Sequence, residues 1–215
     1  MVKYIISMFK VYQQEMKHSS PDRRTYKVDK AAYKLKSQKF LLDGLSDFLG
    51  HDLDPAQLLR HDSGQPYLVG EGPLAFSLSH SDDFFVLACS RTHDIGIDIQ
   101  AHRDFNEKVF ARICGEEERR LILAPNSPAD SPVDLPISTE IFFKVWTIKE
   151  AALKCLGLGF QFSARDLQID EVSQKIRLLS EPKAHMIFLQ NEFNLEYKKL
   201  ELFEGTTTHI VWNSN

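Results

Sequence analysis

The sequence predicts an α+β fold built as two halves of similar plan. Helical periodicity runs through residues 27–49, where Tyr33, Phe40, Leu41, Leu45, Phe48 and Leu49 recur at helix spacing. A second, strongly apolar helix, "FFKVWTIKEAALKCLGLGF", fills 142–160. After each helix come short β-rich runs separated by turn residues, the pattern of antiparallel strands. No residue-level repeat joins the halves, so the shared plan is not legible as a duplication.

Element by element, "KYIISMFKVY" (3–12) reads as the first strand. The 27–49 helix stops at Gly50, and "HDSGQPYLVGEGP" (61–73) is a turn-rich loop. "LAFSLSH" (74–80), "FFVLACS" (84–90) and "GIDIQ" (96–100) follow as strands, with turns at Asp82-Asp83 and Thr92-His93-Asp94. Residues 101–106 lack periodicity and form a linker, and a helix covers 106–124. "PNSPADSPVDLP" (125–136) holds four prolines in twelve residues and reads as an exposed loop. The 142–160 helix stops at Gly157 or Gly159. "DLQIDEV", "KIRLLS", "HMIFLQ", "LEYKKLELF" and "THIVWN" complete the chain as short strands.

The 215 residues, 43% of them hydrophobic, suffice for one core or two small ones. A net charge of −4 argues against a nucleic-acid binder, which needs a basic field to release counterions. Cys89, Cys114 and Cys155 have no metal-like spacing and read as reduced thiols of a cytosolic protein. The N-terminal apolar run is too short for a signal peptide. No window approaches the ~18 apolar residues of a membrane span. The expectation is a soluble, cytoplasmic, monomeric protein without a membrane partner.

Three constellations carry polar chemistry. In "GIDIQ", Ile95, Ile97 and Ile99 face one way and Gly96, Asp98 and Gln100 the other. Asp98 and Gln100 then project side by side, about 6.6 Å apart. Taken alone they read as the wet face of an edge strand. The second reading is a site for a hard cation such as Mg²⁺, which takes one or two carboxylates and leaves room for phosphates, with Gly96 leaving space for a ligand. In the second helix, Glu140, Lys144, Thr147, Glu150 and Lys154 form one polar stripe. Alone, Glu150 and Lys154 are an i,i+4 surface pair and Lys149 snorkels. An ammonium at a core boundary otherwise needs an anionic partner. In "FSLSHS", Ser77, Ser79 and Ser81 share the face opposite Phe76, Leu78 and His80. A Ser79-His80-Asp98 triad is excluded, because adjacent strand residues point apart and no nucleophile elbow is present.

Combined and in order, these motifs resemble the 4′-phosphopantetheinyl transferase superfamily, and the length and two-part layout are similar to its larger, Sfp-like branch. Gly96 to Gln100 matches G-[IV]-D-x-[EQ]. Trp146 to Lys154, then Gly157 and Gly159, matches W-[ST]-x-K-E-[AS]-x-x-K followed by G-x-G. The resemblance covers residues 64–160 and extends more loosely over 20–63.

The resemblance implies two similar subdomains arranged as a pseudo-dimer, 1–102 and 103–215, each a helix on a small antiparallel sheet, with the active site in the cleft between them. It implies transfer of 4′-phosphopantetheine from coenzyme A to a serine of an acyl or peptidyl carrier protein of a fatty-acid, polyketide or peptide synthase. Asp98, Gln100 and Glu150 match the Mg²⁺ site. Ser79, His80, Lys149 and Lys154 match contacts to the coenzyme, and Glu150, Lys154 and Asp98 match the catalytic set. Gly64 and Pro66 match a G-K-P loop near the adenine, with Gln65 in place of the basic residue. Arg23 and Lys39 fall where the 3′-phosphate is held, with Lys27 or Lys36 as alternatives, and Glu118 matches a glutamate after an "RFF"-like segment, here "RICGEEE". Carrier docking is expected near 106–124 and the loop 125–137. Gln100, where many relatives carry glutamate, implies weak Mg²⁺ binding without coenzyme A. Two other activities use the same ligands: a metal-dependent hydrolase of coenzyme A or another diphosphate, and a non-catalytic coenzyme A-binding module.

Overall fold

The computed structural model of the chain describes residues 2–6, 9–15, 30–61, 64–123, 137–157, 162–179 and 193–214. The fold is α+β with antiparallel sheets. The first sheet has the order β1-β2-β6-β5: β1 (Val2–Ile6), β2 (Phe9–Glu15), β5 (Ala75–Ser81) and β6 (Phe84–Ser90). A two-stranded hairpin, β3 (Leu58–Arg60) and β4 (Pro66–Leu68), lies apart from it. Helix α1 (Lys30–Leu49) sets Phe40, Leu41 and Leu45 against Tyr12, Phe85 and Leu87 of this sheet. The spacing of those α1 side chains keeps them on one stripe, so the helix covers one sheet face and leaves its other side to solvent.

The second sheet has the order β7-β11-β10-β9-β8: β7 (Ile95–Ala101), β8 (Leu167–Asp170), β9 (Lys175–Leu178), β10 (Leu195–Leu200) and β11 (Thr206–Asn213). Helix α4 (Thr139–Cys155) covers its outer face, burying Phe142, Phe143, Val145 and Ile148 with Leu167, Leu195 and Val211. Ser138 caps α4, its hydroxyl accepting from the Ile141 N–H. Between the sheets, Ile95, Ile97, Ile99 and Ile210 meet Phe9, Val11, Val86 and Ala88. The result is helix, sheet, sheet, helix.

β7 decides the site. Its backbone pairs with β11 and not with β6, its predecessor in the chain. By hydrogen bonding, the change of sheet falls between β6 and β7. On the β5 side, serine hydroxyls replace a backbone ladder. Ser77, Ser79 and Ser81 accept from the N–H groups of Ile97, Ile99 and Ala101 at 3.1, 3.3 and 3.0 Å. The alternation that put three serines on one face of β5 thus joins the two sheets. Gly96 lets α4 close on β7, because a Cβ there would sit 1.9 Å from the Ala151 carbonyl oxygen. The space beside Gly96 therefore belongs to the helix backbone, not to a ligand.

Four element assignments change. The first strand is two strands, because β2 turns back on β1 with Ile6 opposite Phe9. The 61–73 loop contains β4. The helix at 106–124 is two helices, α2 (Glu107–Ile113) and α3 (Glu116–Leu123). Cys114 is extended between them, which frees the Ile113 carbonyl for the Lys149 ammonium. α4 begins at Thr139, three residues before Phe142. "HMIFLQ" and the proline loop up to residue 136 lie outside the described residues. Cys89, Cys114 and Cys155 are buried free thiols. Among the described residues no helix is long and apolar enough to cross a membrane.

Candidate active site

A cleft of about 630 Å³ opens where α1, the β3–β4 hairpin, β5, β7 and the end of α4 meet. Pro66, Ser79, His80, Asp98, Gln100 and Lys154 line it together. A further 480 Å³ continues along α1 past Tyr33, Lys34 and Ser37, sharing Arg60 and His80 with the cleft.

Asp98 is the hub, only 3% exposed. Its Oδ1 accepts from Ser79 Oγ at 2.6 Å and lies 2.6 Å from Lys154 Nζ. Its Oδ2 accepts from Gln100 Nε2 at 3.2 Å. Lys154 also donates to the Ile97 carbonyl at 3.1 Å, and its place in the last turn of α4 suits a cation at a helix C-terminus. Glu150 lies one turn earlier, half-buried. Burial first, and the charge of Asp98 second, hold its carboxyl above the usual range, while Lys154 pulls it back. His80 packs edge-on to Tyr33 at 5.0 Å and against Phe85 at 5.5 Å. Burial, then the Lys154 charge, lower its pKa, so near neutrality it is an uncharged hydrogen-bonding ring. Ser79 and His80 point apart and no triad forms.

The donor set suits a hard cation. Burial and the charge of Asp98 raise the cost of ionising Glu150, which a divalent cation held by the two carboxylates would relieve. The Gln100 carbonyl is a third oxygen, although its NH₂ donates to Asp98 here. Among the described residues no three His, Cys, Asp or Glu side chains gather as a metal cluster. Asp98, Glu150 and Gln100 would therefore leave much of the coordination to other oxygens.

Three expected positions fall elsewhere. Lys149 does not face the cleft. It is 1% exposed, and its ammonium meets Glu118 Oε2 at 2.5 Å and the carbonyls of Ile113 and Ala164. Glu118 also accepts from the Ile169 N–H at 2.8 Å. The anionic partner that a buried ammonium requires is thus Glu118, and the pair ties α3 and β8 to α4. Lys39 points to solvent and pairs with Asp43, with its side chain 77% exposed. Its position on α1 is on the face away from Ser37 and Leu41. Gly64 does not line the cleft; its carbonyl accepts from Arg60 Nη1 at 2.7 Å. Arg23, Lys27 and Gly159 lie outside the described residues.

Arg60 and Lys34 are basic residues of the cleft and its extension that no sequence motif marks. The period-2 register of β3 puts Arg60 on the same face as Leu58, opposite Pro66. It brings a guanidinium to the loop where Gln65 carries no charge. Lys34 is one turn before Gln38 on the cleft side of α1. Gly157, at φ +67°, turns the chain after α4 so closely that a Cβ would meet Gln65 Oε1 at 2.6 Å.

A family model for the 4′-phosphopantetheinyl transferase superfamily matches residues 94–201, half of the chain. The chain belongs to that superfamily. It is 27% identical over 148 residues to the 4′-phosphopantetheinyl transferase gsp of Aneurinibacillus migulanus, covering 68% of this chain and 54% of the relative. It is 32% identical over 120 residues to HetI of Nostoc, a 4′-phosphopantetheinyl transferase, covering 54% and 47%. The human L-aminoadipate-semialdehyde dehydrogenase-phosphopantetheinyl transferase is 24% identical over 140 residues, covering 65% and 44%. The chain spans about half the length of the curated relatives it matches.

Proposed function

We propose that the protein transfers 4′-phosphopantetheine from coenzyme A to a serine hydroxyl of a carrier protein. The observation that carries this reading is the convergence of Asp98, Lys154, Ser79 and His80 on one cleft, with Glu150 beside it. Coenzyme A presents a diphosphate, and the cleft presents an ammonium, an imidazole and, from β3, a guanidinium. Lys154 neutralises charge on the diphosphate and His80 offers a hydrogen bond to its oxygens, while Ser79, whose proton is on Asp98, fixes that carboxylate. Arg60 and Lys34, along the α1 extension, suit the more distant 3′-phosphate.

The carrier hydroxyl attacks the β-phosphorus. A new phosphoester bond forms as the bond from that phosphorus to the bridging oxygen breaks, and adenosine 3′,5′-bisphosphate leaves with the electron pair. Glu150, whose environment raises its basicity, accepts the serine proton. Asp98 and Glu150, with Gln100, would hold Mg²⁺. When bound, that ion would supply Lewis-acid stabilisation of the diphosphate oxygens. Exposed Lys108 and Arg112 on α2 offer positive charge for an acidic carrier.

The deciding experiment incubates the protein with coenzyme A, Mg²⁺ and a panel of apo carrier proteins, read by mass spectrometry. Transfer adds one phosphopantetheine to the carrier serine, and Asp98→Ala abolishes it without unfolding the protein. Loss of coenzyme A without carrier modification would make the protein a hydrolase. Binding without turnover on any carrier would make it a binding module.

A further inference from the structure

Asp98 is the carboxylate on which a metal would depend, yet its Oδ1 is already in contact with a cation. Lys154 Nζ lies 2.6 Å from Oδ1 and 3.1 Å from the Ile97 carbonyl oxygen. A carboxylate oxygen beside a backbone carbonyl is a pair that a hard cation also takes. The Asp98 side chain is only 4% exposed, so water screens two positive charges there poorly. The Lys154 side chain is 30% exposed and opens on the cleft, at the end of a flexible four-carbon stem. Its ammonium can swing toward an anion in the cleft without moving α4. Gln100 adds a second obstacle, because its NH₂ donates to Oδ2.

We propose that Lys154 is an internal competitor for the metal: it and a divalent cation exclude each other at Asp98, and a diphosphate relieves the competition by drawing the ammonium away. This rests on the reading of Asp98 as a metal ligand. Lys154 then does two things, binding the diphosphate and releasing Asp98. By linkage, the metal and the diphosphate each tighten the other's binding.

The test uses Mn²⁺ alone, titrated into the full chain by calorimetry and by electron paramagnetic resonance of the free ion. Lys154→Met should bind Mn²⁺ about tenfold more tightly than wild type, since it removes the cation in contact. Lys154→Gln should do the same, which guards against a misfolded methionine variant. Lys144→Met, on the same helix but paired with Glu171, should change the affinity less than about twofold. Saturating coenzyme A should tighten Mn²⁺ in wild type more than in Lys154→Met. Equal affinities in wild type and both Lys154 variants would overturn the proposal, as would an equal gain in Lys144→Met or no Mn²⁺ binding in any variant. Phosphopantetheine transfer with equal Mn²⁺ affinities would sink the competition and leave the transferase reading standing. A tenfold gain without transfer would do the reverse.

Discussion

His209 makes the protein acid-labile in a calculable way. It sits on β11 directly opposite Asp98 of β7, on the sheet face that α4 covers, and is 1% exposed. Its Nδ1 lies 2.7 Å from Thr147 Oγ1, and that hydroxyl lies 2.7 Å from the Phe143 carbonyl. The hydroxyl hydrogen goes to the carbonyl, so Nδ1–H donates to Thr147. Burial first, then the charges of Lys144 and Lys199, lower its pKa from 6.5 to about 3. Below pH 6.5 the unfolded chain binds a proton that the folded chain refuses until about pH 3. Stability is therefore flat above pH 6.5 and falls as pH falls through that window. At pH 5 the gap spans 1.5 pH units, and at 1.36 kcal/mol per unit the loss is about 2 kcal/mol. Urea unfolding of wild type and His209→Gln at pH 7.5, 6.5, 5.5 and 5.0 isolates this group, because all other titrations are shared. Wild type should lose about 2 kcal/mol more than the variant by pH 5. Parallel stability curves would show that His209 is not buried neutral between α4 and β11.

Gly96→Ala should destabilise by about 3 kcal/mol and remove activity with it, because its Cβ meets the Ala151 carbonyl and α4 must lift from β7. Gly115→Ala, whose Cβ would meet nothing, is the control; equal melting temperatures for the two variants would refute the close approach. Lys149→Met should cost about 3–5 kcal/mol by leaving Glu118 buried without its cation, and Lys149→Met/Glu118→Gln should recover part of it. A near-neutral single variant in urea unfolding would return Lys149 to the cleft.

The sequence alone determined what local pattern can determine. Alternation in "GIDIQ" placed Asp98 and Gln100 on one face, and alternation in "FSLSHS" separated Ser79 from His80. Helical spacing put Glu150 and Lys154 on one stripe, and the structure keeps all of these relations, because each depends on backbone geometry within a few residues. What it could not determine were meetings between distant segments. Nothing near Lys149 announces Glu118, 31 residues earlier. Nothing in β7 names β11, more than a hundred residues later, as its partner. The serines of β5 read as a polar face until the second sheet's edge amides arrive to use them. Lys39 points to solvent and Arg60 lines the cleft for the same reason: a basic residue is recognisable in the sequence, but the direction of its side chain follows from how α1 and the β3–β4 hairpin are turned against the sheets. Those orientations are set by burial summed over the whole chain, and no single stretch contains that sum.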